Sequence, residues 1–486
     1  MMEEQASIFL GSQAGWRLEH SYAQLPEMFH VKAMPVPVKQ PKLVVLNDQL
    51  AGELGLNAAL LRREEGAAIF AGNELPHGAE PIAQAYAGHQ FGNFTMLGDG
   101  RAILLGEQIT PKGERFDVQL KGPGPTPFSR RGDGRAALGP MLREYVISEA
   151  MFALGIPTTR SLAVTLTGEM VHRQESLPGA VLTRVAASHI RVGTFEWAAA
   201  RGDRTSLKAL ADYTIARHYA ELVLVGVEKV YVEFFRMVME RQAALLAQWQ
   251  LVGFIHGVMN TDNMSVCGET IDYGPCAFMD AYDPATVFSS IDQRGRYAYG
   301  NQPLIAQWNL ARLAEALLPL FGEDEKQAVE LANEMIESFK ERIEFYWLRG
   351  MRRKLGLFSE EPGDRGLADE LLEWMHQTKA DFTNTFRDLP GVGDEQWRQR
   401  WMERLDRQEQ TFEESVMLIK ASNPAFIPRN HRVEEALEAA VAREDLSVME
   451  RLLEVLEKPY EDSAEHAEYR SPGGTEAEGY QTFCGT

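Results

Sequence analysis

The chain has 486 residues, 45% of them hydrophobic and 24% charged, which is the composition of a globular protein able to bury a sizeable core. A formal net charge of −21 disfavours general affinity for nucleic acid or anionic membrane, both of which repel a strongly negative surface, but it leaves room for a local basic pocket. No apolar run is long enough for a bilayer, the N-terminus shows no signal or transit pattern, and three cysteines make no disulfide framework, so a reducing cytoplasm is the expected compartment.

In chain order, Pro35-Val36-Pro37 precedes a predicted strand at Lys42–Leu46 and a helix beginning near Asp48. Residues 79–92 mix small residues, aromatics and Gly. There His89 and Gln90 either approach a ligand or serve as hydrogen-bonded packing. Gly98-Asp99-Gly100-Arg101 then leads into the apolar strand Ala102–Leu105. A Gly-x-Gly turn lets backbone N–H groups approach phosphate, and Arg101 adds charge, although Asp-Gly is equally a hairpin signal. The strand Phe116–Lys121 ends in a Lys, as does the strand that carries the phosphate-contacting Lys of kinases.

Residues 122–140 hold five glycines and four prolines, which exclude regular structure over most of the segment. Arg130, Arg131 and Arg135 make it locally basic, and Asp133-Gly134 forms a turn suited to a nucleotide group. Met141–Leu154 has a helical apolar stripe with Glu144 outside it in the first turn. Glu144 either pairs with Lys121 or simply favours the helix N-terminus. Strands at Arg160–Leu166 and Ala180–Val185 follow, with Arg184 and Arg191 placed either to reach phosphate or to form surface salt bridges.

Residues 206–251 read as helical and run into His256–Gly274, HGVMNTDNMSVCGETIDYG. An Asn on a loop and an Asp before a Gly suit oxygen ligation of Mg²⁺ against nucleotide phosphates. His256 and Asn263 keep the spacing of the kinase catalytic loop, and Asp272-Tyr273-Gly274 stands where DFG would be. Val258 occupies the place of the kinase base, and the nearest carboxylate is Asp262. After an activation-segment equivalent, residues 301–458 read as helical, broken at 356–364, 389–391 and 421–431. The last break either packs on the lobe or recruits substrate. Residues 459–486 read as a flexible tail.

Together LGDGRAILLGE, QLKGPGPTPFSRRGDGRAALGP, HGVMNTDNMS, IDYGP, NPAFIPRNH and a Cys near the C-terminus resemble the selenoprotein O (SelO) family of protein adenylyltransferases over nearly the full length. The resemblance implies an α+β, protein-kinase-like two-lobed fold, a pseudokinase with a helical C-terminal extension. Its parts would be an N-terminal lobe over 1–195, a helical lobe over 196–458 and the tail 459–486. It further implies reversed ATP and transfer of AMP to protein Ser, Thr or Tyr hydroxyls, including self-modification, with UMP transfer from UTP and Mn²⁺ as a related activity. By position, Gly98, Gly100, Arg101, Lys121, Asp133, Gly134, Arg184, Arg191 and Asp272 would contact ATP. Glu144 would pair with Lys121, Asp262 would be the base, and Asn263 and Asp272 would hold Mg²⁺ or Mn²⁺. Cys484 stands where other members carry selenocysteine; either it forms a redox pair with Cys276 that pins the tail over the site, or the three cysteines are free thiols. The partners implied are ATP and protein substrates, with no nucleic acid or membrane, and the chain is expected to be a monomer. The alternative is a kinase-like phosphotransferase using the γ-phosphate, which Val258 weakens. A nucleotide-binding scaffold without chemistry is a third reading.

Overall fold

The computed structural model describes residues 14–224, 229–474 and 480–482. Its N-terminal part is built on one antiparallel sheet. The strands are β1 (Leu18–Glu19), β2 (His30–Lys32), β3 (Lys42–Leu46), β4 (Ile82–Gln84), β5 (Ala87–Gln90), β6 (Asn93–Met96), β7 (Ala102–Ile109), β8 (Arg115–Lys121), β9 (Ala136–Ala137), β10 (Arg160–His172) and β11 (Ser176–Ala186). The order is β2-β4-β7-β8-β11-β10-β3, with β1 added to β7 and β9 to β11, while β5 and β6 form a separate hairpin.

Both faces of this sheet are covered, which explains the unbroken apolar runs in its strands. Ile103, Leu105, Val118, Leu120 and Leu162 pack with Leu50, Leu54, Leu61 and Phe70 from the helices between β3 and β4. Leu104, Val164 and Leu182, on the opposite face, pack with Leu142, Tyr145 and Val146 of the helix Leu138–Ala153. Alternation along a strand thus sends neighbours to different cores.

That helix begins earlier than its apolar stripe suggests. Gly139 and Pro140 occupy the first turn, where the missing N–H of proline costs nothing. Glu144 therefore lies in the second turn, buried, and is not a solvated N-terminal charge.

The C-terminal part is helical, from Val192–Ala200 and Arg204–His218 through Val230–Val252 and Gln302–Phe321, and the predicted breaks are present. Residues 421–431 pack as a clasp. Arg429 is buried and donates to Asp280 (2.6 Å), Asp381 (2.6 and 2.9 Å) and the Arg470 carbonyl (2.9 Å). The tail departs from the expectation of flexibility in its described stretches, 459–474 and 480–482. Tyr460 donates to the Leu154 carbonyl (3.1 Å), Lys420 holds Asp462 (3.0 Å), and Thr482 bonds to Pro275 and Phe288. Polar composition read as disorder, but each of these groups has a specific partner.

Two histidines are held neutral, His189 fully buried and His218 half-buried. His189 faces Asp117 (3.0 Å) and His218 faces Ser188 (2.8 Å). Burial pushes them down to about 4 and about 3. The unfolded chain takes up these protons near pH ~6.5 and the folded one does not, so stability falls as pH drops from ~6.5 toward 4. Thermal unfolding scans are expected to show the melting temperature falling between pH 7 and pH 5, and His218→Gln is expected to flatten that slope.

Candidate active site

The sheet ends in a cluster of buried charge. Leu182 pairs with Lys121 and Arg184 with Gln119 across β11 and β8, so Gln119, Lys121, Leu182 and Arg184 share one face. That face meets Glu144. Lys121 Nζ donates to Glu144 Oε2 (2.6 Å) and Asp272 Oδ1 (3.1 Å). Arg184 donates through Nε to Glu144 Oε1 (2.9 Å) and through Nη2 to Asp272 Oδ1 (2.7 Å). Burial opposes ionisation of both acids, yet Arg184, and then Lys121, hold the two carboxyls below their ordinary range. Arg191 is also buried, its guanidinium 4.4 Å from the centre of the Tyr86 ring, 3.8 Å from Asp99 and 4.0 Å from Asp272 Oδ2. Neither Arg184 nor Arg191 is a surface salt bridge.

Asp272 reaches this cluster from a long loop. Strands β12 (Phe254–Ile255) and β13 (Ala277–Phe278) pair, and the residues between them form the loop of His256–Gly274. His256 is structural: it faces the Ile271 carbonyl through Nε2 (2.8 Å), stacks on Trp249, and so ties the two arms together. Gly257 has φ +83°, and a Cβ there would lie 2.2 Å from the Pro275 carbonyl, so only glycine lets the arms close. Asp272 itself is left-handed at φ +63°, an uncommon conformation for a residue with a Cβ and one that clusters at functional sites.

On the other arm, Thr261–Asn263 form one 3₁₀ turn. Asn263 donates through Nδ2 to the Val258 carbonyl (3.0 Å). Asp262 is buried, its Oδ1 has no hydrogen-bond partner among the described residues, and burial pushes its carboxyl up to about 6. It lies directly beneath β5: a Cβ at Gly88 would fall 2.2 Å from Asp262 Oδ1. The hairpin is locked to this turn. The His89 amide donates to Thr261 Oγ1 (2.7 Å), Thr261 donates to Glu196 Oε2 (2.6 Å), and the His89 ring meets Glu196 Oε1 (2.5 Å). His89 is thus a packing element.

Gly100, Arg101, Lys121, Arg184, Arg191, Asp262, Asn263 and Asp272 line one cavity of about 420 Å³, together with Tyr86, Gln90, Asp99 and Asn260. A second cavity of about 670 Å³ adjoins it through Arg101, Lys121 and Gly274, and is walled by Leu177, Leu437 and Tyr480. Gly98, Asp133 and Gly134 line neither. Gly98 lies under the Phe128 ring, Gly134 packs on the Gly124 carbonyl, and Asp133 is held outside by Arg173 (2.9 and 3.0 Å). Cys276 is a buried free thiol, and Cys484 lies outside the described residues.

Sequence reasoning missed Tyr86, Asp99, Gly88 and Glu196 as parts of the site. Asp99 read as a hairpin residue. It is buried, accepts from the Gln84 amide (3.1 Å) and Gln119 (3.2 Å), and burial pushes it up to about 6. Its position between two glycines was the available signal.

Among the described residues no three carboxylate, imidazole or thiolate side chains converge on a metal-ready point. The donor set nevertheless fits a divalent cation shared with a nucleotide. Asp272 Oδ1 is occupied by Lys121 and Arg184, while its carboxylate is partly exposed to the cavity that Asn263 also lines. Mg²⁺ is commonly held by one or two protein oxygens plus substrate phosphates and water.

The sequence model of the family described as "Protein adenylyltransferase SelO" matches residues 15–394. Similar proteins include the protein nucleotidyltransferase YdiU of Halalkalibacterium halodurans, 62% identical over 485 residues and covering 98% of both chains. Those of Bacillus cytotoxicus and Bacillus cereus are 60% and 59% identical, each over 98% of this chain and at least 98% of their own. With the match spanning the sheet, the Lys121–Glu144–Asp272 cluster and the Asp262–Asn263 turn, the chain belongs to the SelO family of protein adenylyltransferases and is a nucleotidyltransferase.

Proposed function

We propose that the protein transfers AMP from ATP to Ser, Thr or Tyr hydroxyls of proteins, itself included, with UMP transfer from UTP and Mn²⁺ as a related activity. The observation that carries this reading is the placement of Asp262. It is the buried carboxylate beside Asn263, it faces the same cavity as Lys121, Arg184, Arg191 and Asp272, and Val258 holds the place of the kinase base. A kinase-like two-lobed arrangement accounts for the sheet, the Lys121–Glu144 pair and the helical region below them.

In this mechanism Arg184, Arg191 and Lys121 neutralise the polyphosphate and stabilise the departing pyrophosphate. Asp262 accepts the proton of the incoming hydroxyl, and its raised affinity for a proton suits that step. Asn263 and Asp272 would hold Mg²⁺ or Mn²⁺, which when bound supplies charge neutralisation at the phosphates. The resident groups argue for that requirement. Arg101, Lys121, Arg184 and Arg191 face Asp99, Glu144, Asp262 and Asp272, four cations against four acids, so the protein alone does not offset a triphosphate. Gly100 and Arg101 contact the nucleotide from the β7 side. Contacts from Gly98, Asp133 and Gly134 would come from the edge, where residues 122–135 cross that turn through Thr126 to Asp99 (2.6 Å).

The tail offers a redox control of this site. Thr482 donates to the Pro275 carbonyl (2.7 Å), and Pro275 precedes Cys276. Cys484, the other half of the pair, lies outside the described residues. The bond would fasten the tail across the larger cavity.

Incubation with Mg²⁺ and α-³²P-ATP or γ-³²P-ATP, resolved on denaturing gels, tests the reaction. Label on protein from the α-phosphate alone is expected. Label from the γ-phosphate alone would instead establish a phosphotransferase. Asp272→Ala and chelation by EDTA are each expected to abolish transfer. Asp262→Asn is expected to slow it by about 10²–10⁴-fold while leaving Mg–ATP binding intact. Non-reducing peptide mapping of oxidised protein is expected to recover a 276–484 crosslink, and its absence rules the redox pair out.

A further inference from the structure

The mouth of the smaller cavity carries a feature that nucleotide chemistry does not use. Phe91 and Ile291 line the cavity together with Asp262, and the tip of the β5–β6 hairpin rests there on the segment 291–297. Asn260, two residues before Asp262, joins them: its Oδ1 accepts from the Phe91 amide (3.1 Å) and from the Tyr297 hydroxyl (2.5 Å). Around this junction three large apolar side chains are exposed, Phe94 at 46%, Met96 at 38% and Ile291 at 51%. Ile291 lines the cavity itself, while Phe94, against the His89 ring, and Met96 lie on the hairpin strand beside it, a set of exposed apolar side chains suited to a contact surface.

The charged groups on this rim are arginines. Arg130 sits at a left-handed position (φ +55°) and donates to the Met96 carbonyl (2.6 Å). Arg294 is exposed on the turn after Ile291. Arg296 lies over Trp308 and Tyr297, 5.0 and 5.7 Å from the ring centres, and its buried Nε has no acceptor. Asp292 holds the backbone of this turn by accepting from the amides of Arg296 (3.0 Å) and Tyr297 (2.7 Å). Among the described residues no carboxylate forms a salt bridge with Arg130, Arg294 or Arg296. Elsewhere on the same acidic surface, arginines such as Arg365, Arg400, Arg407 and Arg451 each hold one. A stacked guanidinium that has no carboxylate partner can receive one through its remaining N–H groups.

We propose that this rim docks the acceptor protein, and that it selects hydroxyls flanked by acidic residues with a bulky apolar side chain nearby. The apolar side chain meets Phe94, Met96 and Ile291, and the acidic residues meet Arg296, Arg294 and Arg130. The assignment rests on protein being the acceptor. Its chemistry runs against the charge of the whole chain, since a protein of net charge −21 attracts basic peptides by default. Only a local basic rim reverses that preference.

Fluorescein-labelled peptides with one Tyr, one Leu and flanks of either Glu or Lys provide the test, read by fluorescence anisotropy on the full chain without nucleotide. The Glu-flanked peptide is expected to bind about five-fold tighter or more, the size of one or two partly buried charge contacts. Arg296→Glu, and separately the surface change Arg294→Glu, are expected to weaken the Glu peptide and strengthen the Lys peptide, a swap that loss of folding does not produce. Equal binding, or a preference for the Lys peptide by the unmodified protein, would overturn the proposal. Transfer from α-³²P-ATP to the same peptides is scored separately. A Glu preference in binding without any α-label would uphold the docking surface while removing AMP transfer as the reaction.

Discussion

The structure depends on one buried ionic contact, the meeting of Lys121 and Arg184 with Glu144 and Asp272. Each member comes from a different element: two adjacent strands, the helix Leu138–Ala153 and the left-handed residue of the long loop. Removing any one leaves a charge desolvated without its partner, which in buried pairs costs about 3–5 kcal/mol. The cluster therefore fixes where the helix sits against the sheet and where the loop ends. Those two placements define the cavity. The same network also orients Asp272, with one oxygen taken by the cations.

A second constraint acts on the other side of the cavity and is steric. Asp262 fits beneath β5 because residue 88 has no side chain, and the His89–Glu196–Thr261 bonds keep the hairpin at that height. The hairpin is therefore shared between two tasks. Its inner face buries the carboxylate and raises its proton affinity, while its outer face, with Phe94 and Met96, meets whatever approaches the site. On the proposed reading, chemistry and acceptor recognition would be coupled through the eight strand residues of this hairpin.

Electrostatics connects the site to the rest of the molecule. The chain is strongly acidic, and its cations are spent locally, in buried pairs such as Arg429 with Asp280 and Asp381 and in the site itself. The site is close to balanced before nucleotide arrives. On the proposed reading, charge as well as geometry would call for a divalent ion, and the rim arginines would be the part of the entrance that attracts acid.

Much of this was legible in the amino-acid order. Strands with unbroken apolar runs, the Gly/Pro-rich segment, the helical region after residue 301 and the residues Lys121, Glu144, Asp262, Asn263 and Asp272 follow from local pattern, because periodicity and spacing are properties of neighbouring residues. What tertiary structure alone decided concerns residues distant in sequence. It buried Glu144 in a second helical turn, docked the tail at 460 and 482, made His256 and His89 structural, and left Asp133 with Arg173 outside the cavity. It also brought Asp99, Tyr86 and Gly88 to the site. Apart from Asp99, flanked by two glycines, none of these carries a local signature, since a partner 80 or 170 residues away is chosen by packing, and packing is set only when the whole chain has closed.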